Sequence, residues 1–389
     1  MKKKIALMLS AVMILALAFS VTGCGGGGDA EGVNVEGDTI KIGVFEPTTG
    51  ENGGGGMQEV LGIRYANQLN PTVEVGGKTY NIELVEVDNQ SDKTAAVTAA
   101  QQLISDGVVG VLGSYGSGVA IAAGDTFKTA AVPAIGCSCT NPQVTSDNDF
   151  YFRVCFLDPF QGTVMASFAS NELKVKKAAI YIDNTSDYAK GLAQFFKENF
   201  IKNGGQVVIE EAYLQKDTDF KSTLTKIKAA QPDFIYIPGY YQEVGLIVKQ
   251  AREMGITVPM AGGDGWDSAK LPEIAGKAAL ENTFFSSLYS PDDTSDLNKE
   301  FVAEYKKAYN TNPDVFAALA YDSTLLVAKA IEDAGSADPA KIAEAMAKIK
   351  GFKGVSGEVT FNEQHNPIKS AVIIEHKDGK QTFKTKVNP

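Results

Sequence analysis

The sequence predicts an α/β protein whose parallel sheets are covered by helices on both faces. Short β-branched runs alternate with amphipathic segments along most of the chain. Runs such as 178–182 and 234–237 are apolar throughout, which is typical of strands that are buried on both faces. About 350 residues follow the N-terminal segment, which is enough chain for two domains of ordinary size.

The first half of the chain alternates regularly between the two kinds of segment. β-branched and apolar runs predict strands, and apolar residues at helical spacing predict helices. The predicted strands are 39–45, 81–87, 108–112, 132–135 and 151–154. The predicted helices between them are 57–70, 92–105 and 117–129. This βαβα order indicates a parallel sheet.

The same alternation restarts in the second half. Helices are predicted at 159–172, 188–203, 220–229 and 242–254, and strands at 178–182, 207–213 and 234–237. Segments 93–113 and 219–239 share one pattern of helix, turn, buried strand and glycine. This is consistent with two similar halves, although any α/β protein repeats this unit.

The tail of the chain is richer in helices. Helices are predicted at 301–309, 315–333 and 339–349, and short strands at 358–361, 371–375 and 382–384. Such a tail does not easily form a third domain, so we expect it to pack against the earlier sheets.

Four loops follow strands at the edge where ligands of open parallel sheets bind. Loop 50–56 is rich in glycine and is suited either to wrapping a ligand or to flexibility. Loops 113–118 and 136–142 offer serine and threonine hydroxyls with free N–H groups, which can hold an anion or form a plain turn and helix cap. In loop 261–266, Asp264 lies between glycines, as a turn residue or as the partner of a ligand cation.

The chain resembles the branched-chain amino-acid-binding proteins (leucine/isoleucine/valine type) of ABC importers. The similarity extends from residue 38 to the C-terminus, and its motifs are ELVEVDNQSD at 83–92, VLGS at 111–114, SDYAKG at 186–191, FIYIPGY at 234–240 and AYDS at 320–323. The resemblance implies the type I periplasmic-binding fold, with two Rossmann-like lobes joined by three crossovers that close on a ligand. The expected lobes are 38–157 with 288–366 and 158–287 with 367–389.

The resemblance also implies roles for particular residues. Ser117, Ser138 and Thr140 are expected to hold the α-carboxylate of an amino acid, and Asp264 its α-ammonium. Tyr188 and Tyr240 are expected to close over the ligand. The function implied is capture of an amino acid, branched-chain or similarly aliphatic, and delivery to an ABC permease by a monomeric protein that needs no catalysis and no cofactor.

Two departures from the family pattern bear on the ligand. Glycines near Gly54 and Gly55 replace an aromatic wall, so the site is larger or is reshaped by Tyr115 or Trp266. An amide, a short peptide or an aromatic acid is therefore the alternative ligand. A surface hydrolase is a further alternative, but the chain has no Gly-x-Ser-x-Gly motif to support it.

The N-terminus predicts export and lipid attachment. Lys2, Lys3 and Lys4 precede an apolar run that ends at Val-Thr-Gly-Cys24, which resembles the bacterial lipobox. The predicted signal peptide is 1–23, and 24–37 is a glycine-rich, polar tether. A lipid on Cys24 would anchor the protein to the cell membrane, facing outside the cytoplasm. The alternative is an ordinary secretory signal with a chance cysteine.

Composition excludes some classes of partner. The net charge of −11 argues against nucleic acid, because phosphate backbones are bound by excess Lys and Arg. Besides Cys24, the cysteines are Cys137, Cys139 and Cys155, and they cannot all pair with one another. A bridge from Cys155 to one of the other two remains open. Neither of the two histidines has metal-ligand spacing to a cysteine, so no metal site is expected.

Overall fold

A computed structural model of the protein describes residues 35–389. The predicted signal peptide, Cys24 and most of the predicted tether lie outside the described residues. Within 35–389 the α/β class is confirmed. The strands are β1 (Val35–Glu36), β2 (Thr39–Glu46), β3 (Thr72–Val75), β4 (Lys78–Asp88), β5 (Gly110–Leu112), β6 (Ala134–Gly136), β7 (Tyr151–Arg153), β8 (Lys177–Asp183), β9 (Gln206–Tyr213), β10 (Phe234–Tyr236), β11 (Met260–Gly262), β12 (Thr283–Ser287), β13 (Phe352–Gly354), β14 (Gly357–Val359), β15 (Ala371–Lys377) and β16 (Lys380–Val387).

The helices lie between these strands and in the tail. They are α1 (Gly53–Leu69), α2 (Lys93–Ser105), α3 (Ser117–Thr129), α4 (Asp158–Ser167), α5 (Asp187–Lys202), α6 (Lys221–Ala229), α7 (Tyr241–Glu253), α8 (Leu271–Ala275), α9 (Asp296–Tyr309), α10 (Val315–Ala334) and α11 (Pro339–Met346). None of them combines the length and apolar character needed to cross a bilayer.

Each lobe is built on one sheet. The first sheet has the order β3-β4-β2-β5-β6-β7, with β1 paired to the start of β2. Its central pairs are parallel, and β3 and β1 run antiparallel to their neighbours. The second sheet has the order β16-β15-β12-β11-β10-β8-β9, parallel from β12 to β9 and antiparallel from β12 to β16.

Helices cover both faces of each sheet, as the apolar strands require. In the first lobe, α1 and α10 pack on one face and α2 and α3 on the other. In the second lobe, α4 and α5 lie opposite α6, α7 and α8. The tail packs back as expected, since α10 lies against α1 and is buried along most of its length.

The chain passes between the two sheets three times. It leaves the first sheet after Arg153, leaves the second after Ser287, and re-enters the second at Ala371. Lys369 is buried beside the third passage, where Nζ donates to Ser356 Oγ at 2.7 Å. Ser356 in turn donates to Asp322 of α10, so this passage is tied to the first lobe.

The local sequence explains where several helices begin. Asp92 accepts from the N–H groups of Thr94 and Ala95 at the start of α2, and Asp314 caps α10 in the same way. Ser186 caps α5 through the N–H of Ala189. Side-chain oxygens at these positions satisfy N–H groups that the helix itself leaves unpaired.

Several features differ from the sequence-based expectations, and β3, β13 and α8 are among the elements that were not predicted. α1 begins at Gly53, so most of the glycine loop is the first turn of a helix. β12 follows a run of turns and was not predicted, although its residues are buried and it pairs with β11 and β15. Val35 and Glu36, at the end of the predicted tether, form β1.

Candidate ligand-binding site

Loops from both lobes meet between the two sheets. They enclose a small space of about 10 Å³. Five of the six predicted ligand contacts line it together with four further residues: Tyr115, Gly116, Ser117, Ser138, Tyr188, Tyr240, Asp264, Gly265 and Phe316. Thr140 does not line this space and lies instead at the first passage between the lobes, where its carbonyl accepts from the N–H of Asp158 at 3.0 Å.

The N-terminus of α3 forms one wall of the space. Gly116 has a φ of +93°, a backbone conformation that favours glycine, and this turn brings Ser117 to the first position of the helix. Unpaired N–H groups and the helix dipole make such a terminus favourable for an anion. Ser117 Oγ accepts from the N–H of Asn141 at 3.2 Å, which ties this wall to the loop after β6.

Ser138 lies on the loop after β6 and contacts a pair of buried acids. Its hydroxyl donates to Oε1 of Glu59, a fully buried residue of α1. Glu46, at the end of β2, lies beside Glu59 and accepts from the N–H of Tyr115 at 2.7 Å. Burial raises the pKa of both carboxyl groups above the ordinary range.

Asp264 supplies the acid of the second lobe. It is 3% exposed and begins the short 3-10 turn that follows β11. Tyr188 donates to Asp264 Oδ1 at 2.9 Å, and the N–H of Asp264 donates to Gln161 Oε1 at 2.8 Å. Burial raises the pKa of Asp264 to about 6, so a cation next to it would stabilise the ionised form.

Aromatic rings form the rest of the lining of the space. Tyr240 stacks on Tyr188 with centroids 5.3 Å apart and meets Tyr115 of the other lobe at 5.5 Å. Tyr115 also packs on Phe316 at 4.8 Å. A Cβ at Gly55 would collide with the Tyr115 ring, so the glycine at this position admits an aromatic side chain from another loop.

The two lobes are in direct contact around the site. Lys93 of α2 pairs with Asp187 of α5 at 2.6 Å, and Asn141 Nδ2 donates to the carbonyl of Asp187 at 2.9 Å. On the other side, Lys216 pairs with Glu51 at 3.3 Å. These contacts join the rim of one lobe to the rim of the other.

Sequence reasoning missed the parts of the site that come from distant segments. Phe316 comes from the first turn of α10, and Gln161 from α4. Glu46 and Glu59 were not singled out, although acids in an apolar strand and on a buried helical face are the signal that could have found them. Trp266 packs away from the space and donates to the carbonyl of Ile237 at 3.0 Å.

The cysteines and histidines take no part in this lining. Cys137, Cys139 and Cys155 are buried free thiols, so neither open pairing of Cys155 is formed. His365 stacks on Phe152, and His376 lies 3.0 Å from Thr283 Oγ1.

Two α/β lobes that enclose a small polar site between them define the class of two-lobed binding proteins. The family model for periplasmic binding proteins matches residues 39–381. The chain therefore belongs to the periplasmic binding protein family.

Individual relatives agree with this membership. The leucine-, isoleucine-, valine-, threonine- and alanine-binding protein of Pseudomonas aeruginosa is 32% identical over 351 residues, which covers 89% of this chain and 92% of that protein. The leucine-binding protein LivK of Thermotoga maritima superposes with a TM-score of 0.86 at 38% identity, covering 90% of this chain and 99% of that one.

A third relative is the branched-chain amino acid transporter substrate-binding protein LivJ of Streptococcus pneumoniae, whose structure is in complex with isoleucine. Its TM-score is 0.85 at 37% identity, covering 90% of this chain and all of that one.

Proposed function

We propose that this protein captures a branched-chain or similarly aliphatic amino acid between its lobes and delivers it to an ABC permease. The observation that carries the proposal is the arrangement of opposite polarities across one interlobe space. Ser117 and the N-terminus of α3 face it from the first lobe, and buried Asp264 faces it from the second. A free amino acid has a carboxylate and an ammonium that match these two sides.

The proposed roles follow the geometry. Ser117 and the free N–H groups of α3 hold the carboxylate, Asp264 holds the ammonium, and Tyr188 and Tyr240 close over the ligand. Thr140 is retained as a proposed carboxylate contact on the family resemblance alone. The proposed lobes are 38–157 with 288–366 and 158–287 with 367–389.

An amide, a short peptide or an aromatic acid is the alternative ligand. An amide or an aromatic acid that lacks an ammonium would leave the Asp264 carboxylate buried without a cation, which costs several kcal/mol. A hydrolase finds no support at this site, because neither histidine lines it. We therefore favour the amino acid.

Calorimetry with a panel of free amino acids tests the proposal. Leucine, isoleucine and valine should bind with one ligand per protein, and the des-amino acid of leucine should bind at least about 100-fold more weakly, because breaking a buried ion pair costs about 3–5 kcal/mol. If no amino acid binds, or if the des-amino acid binds equally well, the amino-acid assignment is wrong. A mass spectrum of ligand retained through gentle purification provides an independent identification.

We also propose that the protein is exported and anchored through a lipid on Cys24. An anchor would keep a monomeric binding protein near its permease and raise its local concentration there. Labelling cells with a radioactive fatty acid should label this protein, and Cys24→Ala should abolish the label and release the protein from the membrane fraction. Labelling that persists in Cys24→Ala would exclude this cysteine as the attachment point.

A further inference from the structure

Two buried acids lie beneath the first-lobe wall of the site without a cation to pair with. Glu46 is 1% exposed and Glu59 is 0% exposed. In the part of the chain that the structure describes, no lysine or arginine forms an ion pair with either of them. Two ionised carboxylates buried side by side would cost too much free energy to persist, so at least one proton is held between them.

The contacts of each oxygen show where that proton lies. Glu46 Oε2 accepts from the N–H of Tyr115, and Glu59 Oε1 accepts from Ser138. The remaining oxygens, Glu46 Oε1 and Glu59 Oε2, are buried without another partner among the described residues. Ligand-type atoms of the two acids and of Cys137 lie within 4.8 Å of one another. One proton shared between Glu46 Oε1 and Glu59 Oε2 would give both oxygens a partner and would leave Glu59 Oε1 to accept from Ser138.

This arrangement fixes the direction of the Ser138 hydroxyl. A serine hydroxyl has one proton to donate, and here that proton is directed to Oε1 of Glu59. The oxygen has no second proton to donate and can only accept from a further partner, and Ser138 lines the same space as Asp264. A lone pair accepts from an ammonium and repels a carboxylate, so this geometry does not suit the carboxylate role that the family resemblance implies for Ser138.

We propose that the Glu46–Glu59 pair, by sharing one proton, positions the Ser138 hydroxyl as an acceptor for the ligand's ammonium and thereby selects ligands that carry an amino group. This inference rests on the proposed function, since it assigns a partner to the ammonium of that same ligand. Glu59 acts as a positioning residue, and Asp264 and Ser138 together form the ammonium side of the site.

The groups that face the pair favour one shared proton. The titratable groups come from several elements: Tyr115 from the loop after β5, Cys137 and Cys139 from the loop after β6, Tyr151 from β7, Asp314 from the start of α10, and Asp264 from across the cleft. All of these are neutral or anionic, so they oppose loss of the shared proton. A bound ammonium opposes uptake of a second proton.

The pair therefore links binding to pH. When a second proton neutralises Glu59 at lower pH, Glu59 can donate to Ser138 Oγ, and Ser138 then turns its own proton toward the ligand. Amino-acid affinity should consequently fall as the second proton is taken up, whereas the affinity for a des-amino acid should not fall.

Glutamine substitutions separate the two protonation states. Glu46→Gln retains an oxygen toward Tyr115 and an N–H toward Glu59, so it imitates the pair with one shared proton. Adding Glu59→Gln gives a neutral pair that can donate to Ser138 and imitates the form with two protons. Melting temperatures of both variants check that they fold.

Calorimetry with leucine and its des-amino acid then tests the proposal. Glu46→Gln, which imitates the shared proton, should lose less of the preference for leucine over the des-amino acid than the double variant does. The double variant should bind leucine at least tenfold more weakly without loss of affinity for the des-amino acid, and Ser138→Ala should reduce the ratio in the same direction.

A second readout is the number of protons released on binding, measured in buffers of different ionisation enthalpy between pH 5 and 7. Asp264 also titrates in this range, so the decisive quantity is the difference between the wild type and the double variant. The wild type should release more protons.

Some results would overturn the inference. An unchanged ratio in the double variant would do so, as would one metal ion per protein after purification, because a metal would replace the shared proton. Failure of the wild type to bind any amino acid would instead overturn the proposed function.

Discussion

The two walls of the candidate site present charge in different ways. The first-lobe wall presents N–H groups and the Ser117 hydroxyl at the start of α3, and no side chain with a full positive charge lines the space. The second-lobe wall presents a full negative charge on Asp264, which Tyr188 and Gln161 hold in place. The interaction with an anion is divided among several N–H and hydroxyl dipoles, whereas a single carboxylate provides most of the interaction with a cation. Removing the charged group of the second-lobe wall should therefore reduce ligand affinity more than removing one polar group of the first-lobe wall.

The largest expected effect is that of Asp264→Asn. The change leaves shape and most hydrogen bonds intact but leaves the ligand's ammonium buried without its counter-ion, at a cost of about 3–5 kcal/mol. Leucine affinity measured by calorimetry should fall at least about 100-fold. The control is Asp296→Asn, which removes an exposed acid that does not line the site. A loss of less than tenfold would mean that Asp264 does not pair with the ammonium.

The pH dependence of leucine affinity provides a second test of the charge on the second-lobe wall. Burial raises the pKa of Asp264 to about 6 in the free protein, and a bound ammonium should lower it. Leucine affinity should thus be greatest above pH 6 and fall by up to about tenfold per pH unit below it. Asp264→Asn should lose this part of the slope. A wild-type affinity that is flat from pH 5 to pH 8 would contradict the assignment.

Ser117→Ala should have an intermediate effect. It removes one hydroxyl of the first-lobe wall but leaves the N–H groups of α3, so about 1.5 kcal/mol, or roughly tenfold in affinity, should be lost. Ser105→Ala, at an exposed position at the end of α2, is the matched control. If Ser117→Ala weakens binding as much as Asp264→Asn, the two walls do not differ in the way proposed.

The smallest expected effect is at the rim. Lys93→Ala removes the ion pair with Asp187 that joins the lobes, and an exposed pair contributes at most about 1 kcal/mol. Ligand dissociation in stopped-flow experiments should become about two- to fivefold faster, and the difference should shrink at high salt. Lys78→Ala serves as control, since its pair with Asp38 lies within one lobe. Equal effects of the two variants would show that the rim pair does not hold the lobes together.

Local patterns predicted the α/β class and the loops of the candidate site, whereas the two-lobed arrangement and the residue roles were implied by the family resemblance. The alternation of apolar runs and amphipathic segments located most of the helices and strands, because each of these elements carries its own periodicity. Loops after β5, β6 and β11 were predicted to bear ligand contacts because strand ends share one edge of a sheet. The structure brings Ser117, Ser138 and Asp264 to one space, as those loops suggested.

The parts that could not be predicted depend on long-range packing. Gly53 and the glycines after it were interpreted as a loop because glycine disfavours helix, but they begin α1, where Gly55 admits the ring of Tyr115. Phe316 reaches the site only because α10 packs on α1. The contact between Glu46 and Glu59 joins a strand end to a helix face, and no local pattern encodes it.

The most direct test of the account is a pair of calorimetric titrations of the purified protein, one with leucine and one with the acid that lacks its amino group. The account predicts one leucine per protein and at least about 100-fold weaker binding of the des-amino acid. Equal affinities for the two, or binding of the des-amino acid alone, would contradict the central claim that the site recognises both charges of an amino acid.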